Sequence, residues 1–120
     1  MQHELSSVSG ALGEVRAEQV LAEKGYAILA RNYRIPGAEI DLIASKDNLI
    51  VFAEVKLRRG AEAGRLAVTP AKQRRVSRAA LDFMAKNGMM DRQARFDVIE
   101  IQGMRVTHLE NAFPYQGPAF

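Results

Sequence analysis

The run Leu49-Ile-Val-Phe-Ala53 is apolar at every position. A strand with one wet face alternates apolar and polar residues, so an unbroken run of this length describes a strand covered on both faces. Asp47-Asn48 precedes the run and Glu54 and Lys56 follow it closely, which makes it too short for a helix. Such a strand needs a layer on each side, and that points to an α/β architecture.

The flanking segments supply the layers. Ser9 is suited to cap a helix running to about Lys24, with Gly25 at its exit. Leu12, Val15, Val20 and Leu21 offer it apolar contacts, and Glu14 and Glu18 share one face. Residues 26–33, 39–44, 49–57, 95–101 and 105–109 read as strands. Thr69-Pro70 opens a second helix, with Thr as cap and Pro at its first position, and Asn87-Gly88 closes it after Lys86. Val76, Ala80, Phe83 and Met84 form its apolar stripe. The expected order is α-β-β-β-α-β-β: one α/β domain over 1–120, a central mixed sheet flanked by helices. Residues 1–8 are expected to fray, and 114–120 to form a tail.

Three charges stand inside the strands: Asp41, Glu54 and Lys56. A hairpin turning on Asp47-Asn48 pairs residues whose numbers sum to 95, so Asp41 faces Glu54 and Glu39 faces Lys56. Two carboxylates about 4 Å apart repel by roughly 4 kcal/mol at an effective dielectric near 20. A good cross-strand pair returns only about 0.2–1 kcal/mol. A cation between the acids would offset the difference, and hard oxygen donors suit Mg²⁺ or Mn²⁺. The other reading of the same charges is an internal salt bridge of Lys56 with Glu39 or Glu54.

Charge is unevenly spread. Residues 56–78 hold eight bases (Lys56, Arg58, Arg59, Arg65, Lys72, Arg74, Arg75 and Arg78) against one acid, Glu62, in a chain whose net charge is only +3. A concentrated basic segment is the footprint of a polyanion partner, DNA or RNA. It is equally the footprint of a solvated helix face.

Other chemistries find no support. There is no Cys, hence no disulfide frame, thiolate zinc site or cysteine nucleophile. His108 stands alone on its strand. Walker A, Gly-x-Gly-x-x-Gly and Gly-x-Ser-x-Gly patterns are missing. No secretory signal or spanning segment is read, which makes the cytoplasm the expected compartment and a membrane partner unexpected.

Asp41, twelve intervening residues and then Glu54-Val55-Lys56 resembles the PD-(D/E)XK nuclease motif. The stretches GALGEVRAEQVLAEKGYAILARNYR, AEIDLIA, VFAEVKLRRG, VTPAKQRRV and RFDVIEI, with the closing HLENAF, resemble the YraN-type family of small, uncharacterised bacterial proteins. The resemblance implies a restriction-endonuclease-like fold, similar to that of archaeal Holliday junction resolvases. It implies a metal held by Asp41, Glu54 and the Val55 carbonyl, with Glu14 joining from the first helix through the Gly-x-x-Gly-Glu pattern. Lys56 would orient the attacking water. Ile40 replaces the motif's proline before Asp41. Gln73 is expected to point at the site, and Arg34, Arg58, Arg59, Lys72, Arg74, Arg75 and Arg78 to meet the nucleic acid; the other readings are a surface glutamine at Gln73 and solvated side chains at Arg34, Arg58 and Arg59. The expected activity is Mg-dependent endonucleolytic cleavage of DNA, branched or damaged, by a protein able to act as a homodimer. The alternatives are a nucleic-acid-binding module that keeps the fold without catalysis, and a structural protein with an internal salt-bridge cluster. Asp97 is expected to pair with an arginine from another strand.

Overall fold

The computed structural model describes residues 2–58 and 68–117, with side chains from Leu12 onward. Its elements are α1 (Gln2–Glu23), β1 (Ala27–Ile35), β2 (Ala38–Lys46), β3 (Leu49–Leu57), α2 (Pro70–Lys86), β4 (Gln93–Gln102) and β5 (Arg105–Phe113). The order is the expected one. The strands form one sheet, β1-β2-β3-β4-β5. β3 and β4 run parallel and the other neighbours antiparallel, so the sheet is mixed.

β3 is the central strand. Ile50, Val51, Phe52 and Ala53 are all buried. Ile50 and Phe52 face the side covered by α2, in a core with Ile43, Val76, Phe83, Phe96 and Phe113. Val51 and Ala53 face the side covered by α1, with Ala17, Leu21, Leu42 and Ile99. On the α2 side, Phe52 stacks on Phe96 at 5.7 Å and Phe96 on Phe113 at 4.9 Å between ring centroids.

α1 begins at Gln2 rather than at a Ser9 cap, because 2–9 contains no proline or glycine to stop the helix earlier. It turns its narrow face to the sheet. Gly13, Ala17 and Leu21 repeat every four residues and are buried. That choice points Leu12 and Val15 outward, 64% and 51% exposed, against the expectation that both would pack. The helix exits through Gly25 at φ 92, a left-handed value that favours glycine. The Tyr26 N–H closes the end by donating to the Leu21 carbonyl at 3.0 Å.

α2 follows its sequence signals throughout. Thr69 accepts the Lys72 N–H, Pro70 is the first residue, and Val76, Ala80, Phe83 and Met84 are buried. After β5 the chain is tied back where the Gln116 N–H donates to the buried Ser77 hydroxyl at 2.8 Å. No helix among the described residues is long and apolar enough to cross a membrane.

Candidate functional site

The hairpin register places the two central acids. β2 and β3 pair from Lys46↔Leu49 to Leu42↔Ala53, the expected sum of 95, and Asp47 turns the loop at φ 54. The ladder stops at Leu42, just before Asp41. Ile40 and Ile43 both enter the α2-side core, so the alternation of faces slips across Asp41. In β1, Arg31↔Leu42 and Tyr33↔Ile40 flank Asn32, which adopts φ 50. The two strands bend there together. Beyond the bend Glu39 pairs with Arg34 of β1 at 3.2 Å, not with Lys56 as the extrapolated register predicts.

The bend leaves the Asp41 carboxylate at the end of β3, where Oδ2 accepts the Val55 N–H at 2.8 Å. Asp41 and Glu54 line one groove of about 370 Å³ with Arg34, Glu39, Lys72 and Arg75. Burial pushes the Asp41 carboxyl up to about 6; the Val55 N–H works against this, and the charges of Glu54, Glu14 and Glu39 add to it. Glu54 is ion-paired through Oε1 with Lys72. Its Oε2 is buried and meets no hydrogen-bond partner among the described residues.

The other expected site residues divide. Glu14 does not line the groove, though its charge reaches Asp41. Val55 is fixed at the site through its amide. Lys56 shares the Glu54 face of β3 but does not line the groove; burial lowers its pKa, Glu54 and Glu100 oppose that, and Arg58 and Lys72 reinforce it. Arg34 and Arg75 stand at the groove. Arg58 instead lies 3.9 Å from Glu100, and Arg78 donates to the Pro36 carbonyl at 2.8 Å. Arg74 is exposed. Gln73 is not aimed at the groove: its amide donates to the Val68 carbonyl at 2.8 Å, because it stands close over the chain entering α2. Arg59 lies outside the described residues.

Glu100 has no assigned role in the sequence reading, yet it is only 4% exposed and sits beside Lys56 in the β3–β4 register. The signal for it is an acid between Ile99 and Ile101 on a strand.

Asp97 also borders the groove and anchors β4 to β5. Arg95, two residues earlier on the same strand, grips it with two bonds of 2.8 Å. His108 of β5 meets it at 2.7 Å and the Asn111 N–H at 3.0 Å. The arginine is therefore not from another strand; i and i+2 share a strand face. Burial pushes the Asp97 carboxyl up, but His108, Arg95 and the Asn111 N–H together outweigh it and hold it near 2.

The donor set suits a hard divalent cation: two carboxylates, one of which has a buried oxygen without a partner among the described residues. Among the described residues no three His, Cys, Asp or Glu side chains converge as a cage. Mg²⁺ commonly takes one or two carboxylates and draws its remaining oxygens from water and substrate phosphates, so the residues present fit such an ion.

The Uncharacterised protein family UPF0102 matches residues 13–101. The UPF0102 protein GSU0650 of Geobacter sulfurreducens is 44% identical over 115 residues, covering 90% of each chain. A UPF0102 protein of Pelobacter propionicus is 46% identical over 114 residues, covering 88% of this chain and 81% of its own. Among solved structures, the crystal structure of SSO0001 aligns over 92% of this chain and 54% of that one, at TM-score 0.45 and 17% identity. By its family match and by relatives of this identity along almost its whole length, the chain belongs to UPF0102, an uncharacterised protein family.

Proposed function

We propose that this protein is a metal-dependent endonuclease that hydrolyses phosphodiester bonds in DNA, branched or damaged, in the cytoplasm. One observation carries the reading: the acids Asp41 and Glu54 share a groove with the cations Arg34, Lys72 and Arg75. Acids alone would repel a nucleic acid, and cations alone would only bind it. Together they pair a cation site with a phosphate site.

Asp41 and Glu54 would hold Mg²⁺ or Mn²⁺, with the Val55 carbonyl as a further donor and Glu14, outside the groove, adding its negative charge. When bound there, such an ion would supply Lewis-acid polarisation of the phosphodiester and offset the charge that builds on it. Arg34 and Arg75 hold the phosphate in place. Lys56 would orient the water that adds to phosphorus; that water's proton passes to solvent, and on the far side the departing oxygen takes a proton from solvent as the P–O ester bond breaks. Arg74 and Arg78 extend the contact along the backbone, Arg58 and Arg59 flank it, and little of this reads sequence. Cutting both strands of a duplex calls for two such sites, which a homodimer supplies.

The Lys72–Glu54 ion pair favours a second reading, a binding module whose acids are neutralised internally. A cleavage assay separates the two. Branched DNA, duplex DNA and RNA incubated with Mg²⁺ or Mn²⁺ should be cut by the parent and left intact by Glu54→Gln. Binding without cutting of any of them, with either metal, would assign the module. In both readings binding should weaken steeply between low and moderate salt, because neutralised phosphates release counterions. Changing Arg74, Arg75 and Arg78 to Ala should lower affinity about equally for all sequences. A salt-independent affinity would remove the phosphate contacts.

A further inference from the structure

Thr69 caps α2, and a Thr cap favours Glu or Gln three residues on, where the side chain reaches back to the cap N–H. Here that position is Lys72, and the first turn holds no acid at all. A cation so placed opposes the helix dipole. Local rules broken in this way concentrate at functional sites. Lys72 lines the groove and its ammonium meets Glu54 Oε1, while Oε2 of the same carboxylate is buried without a partner among the described residues.

We infer that Lys72 is a stand-in cation: it occupies the acid pair in the free protein and leaves it for an incoming phosphate, which opens Glu54 to the divalent ion. This rests on the metal reading above. The Lys72 side chain is 42% exposed and ends a flexible four-carbon stem, so its ammonium is free to swing toward a phosphate held between Arg34 and Arg75. An ammonium and a divalent ion on one carboxylate repel each other, so metal binding must compete with Lys72. Lys56 and Arg58 also stand near enough to influence this charge balance, and Glu100 opposes them. Phosphate binding removes the competitor. Metal and nucleic acid should therefore bind with positive coupling, and linkage makes the factor the same in both directions.

The test is a Mn²⁺ titration of the full chain, read by the paramagnetic resonance signal of free Mn²⁺, with and without a short DNA duplex. The parent should bind Mn²⁺ at least about fivefold more tightly with the duplex present, the lower end of ordinary coupling. Lys72→Met should bind Mn²⁺ alone roughly tenfold more tightly than the parent, and its coupling should shrink to what direct phosphate ligation of the ion supplies. Lys72→Arg keeps the charge and should keep the parent's pattern. If Lys72→Met binds Mn²⁺ alone no more tightly than the parent, the stand-in role is wrong while the metal site remains. If no protein binds Mn²⁺ with or without duplex, the metal reading falls and takes the stand-in role with it. Should Lys72→Met fail to fold, the parent decides: equal Mn²⁺ affinity with and without duplex overturns the inference.

Discussion

Replacing Asp97 with Ala is expected to destabilise the protein by about 3–5 kcal/mol, the usual cost of stripping one partner from a buried ion pair. The Asp97 side chain is fully buried, His108 beside it is nearly so, and Arg95 is partly buried. Without the carboxylate, the Arg95 guanidinium keeps only Tyr26 and the half-exposed Glu110, and the Asn111 N–H loses its acceptor. The same carboxyl gives an acid dependence. Its folded pKa lies near 2, below its ordinary 3.8, so its contribution is complete above 3.8 and is lost as pH falls through about 2. Denaturant melts at neutral pH would measure the loss. A change under 1 kcal/mol would show that Asp97 is not the anchor of β4 and β5.

The second large effect has the opposite sign. Asp41→Asn should stabilise the metal-free protein at pH 7.5 by up to about 3 kcal/mol, since every tenfold change in a carboxyl's proton affinity on folding is worth about 1.4 kcal/mol. The Asp41 carboxyl is raised by burial from 3.8 to about 6. Its neutral form thus favours folding at low pH, and that advantage disappears as pH rises from about 3.8 through 6. Asparagine escapes this loss and keeps an oxygen for the Val55 N–H. In a domain of this size the gain amounts to roughly 10 °C in melting temperature. It should shrink to nothing at pH 4, where aspartic acid is itself mostly neutral in the fold. Melting curves in chelator at the two pH values provide the check. An Asn variant that melts with or below the parent at pH 7.5 would mean that Asp41 carries no stored charge penalty.

Both effects come from places where local sequence rules stop being sufficient. Period and punctuation were enough for most of the frame. The apolar 49–53 run became the doubly covered central strand, and the turn at Asp47-Asn48 set its pairing with β2. Thr69-Pro70 and Asn87 bounded α2. What pattern could not show was where a periodicity breaks. The β2–β3 ladder ends at Leu42, so Glu39 meets Arg34, its neighbour in the β1–β2 register, and Asp41 turns onto the Val55 amide. Apolar content alone did not orient α1, because the sheet accepts its small residues, Gly13 and Ala17, and leaves Leu12 and Val15 in water. The partner of Glu54 also lay beyond reach. Lys56 is two residues away in sequence, but Lys72 comes from a helix that only the tertiary fold sets over β3.

The assignment stands or falls on whether a divalent ion belongs between Asp41 and Glu54. Crystals of the protein with Mn²⁺ and a short DNA duplex, measured for anomalous scattering, would locate the ion directly. The expected result is a single strong peak in the groove, about 2.0–2.3 Å from carboxylate oxygens of both residues, with a phosphate oxygen on its open side and the Lys72 ammonium moved off Glu54. A duplex bound along the basic rim with no peak between the two acids would contradict a metal-dependent nuclease.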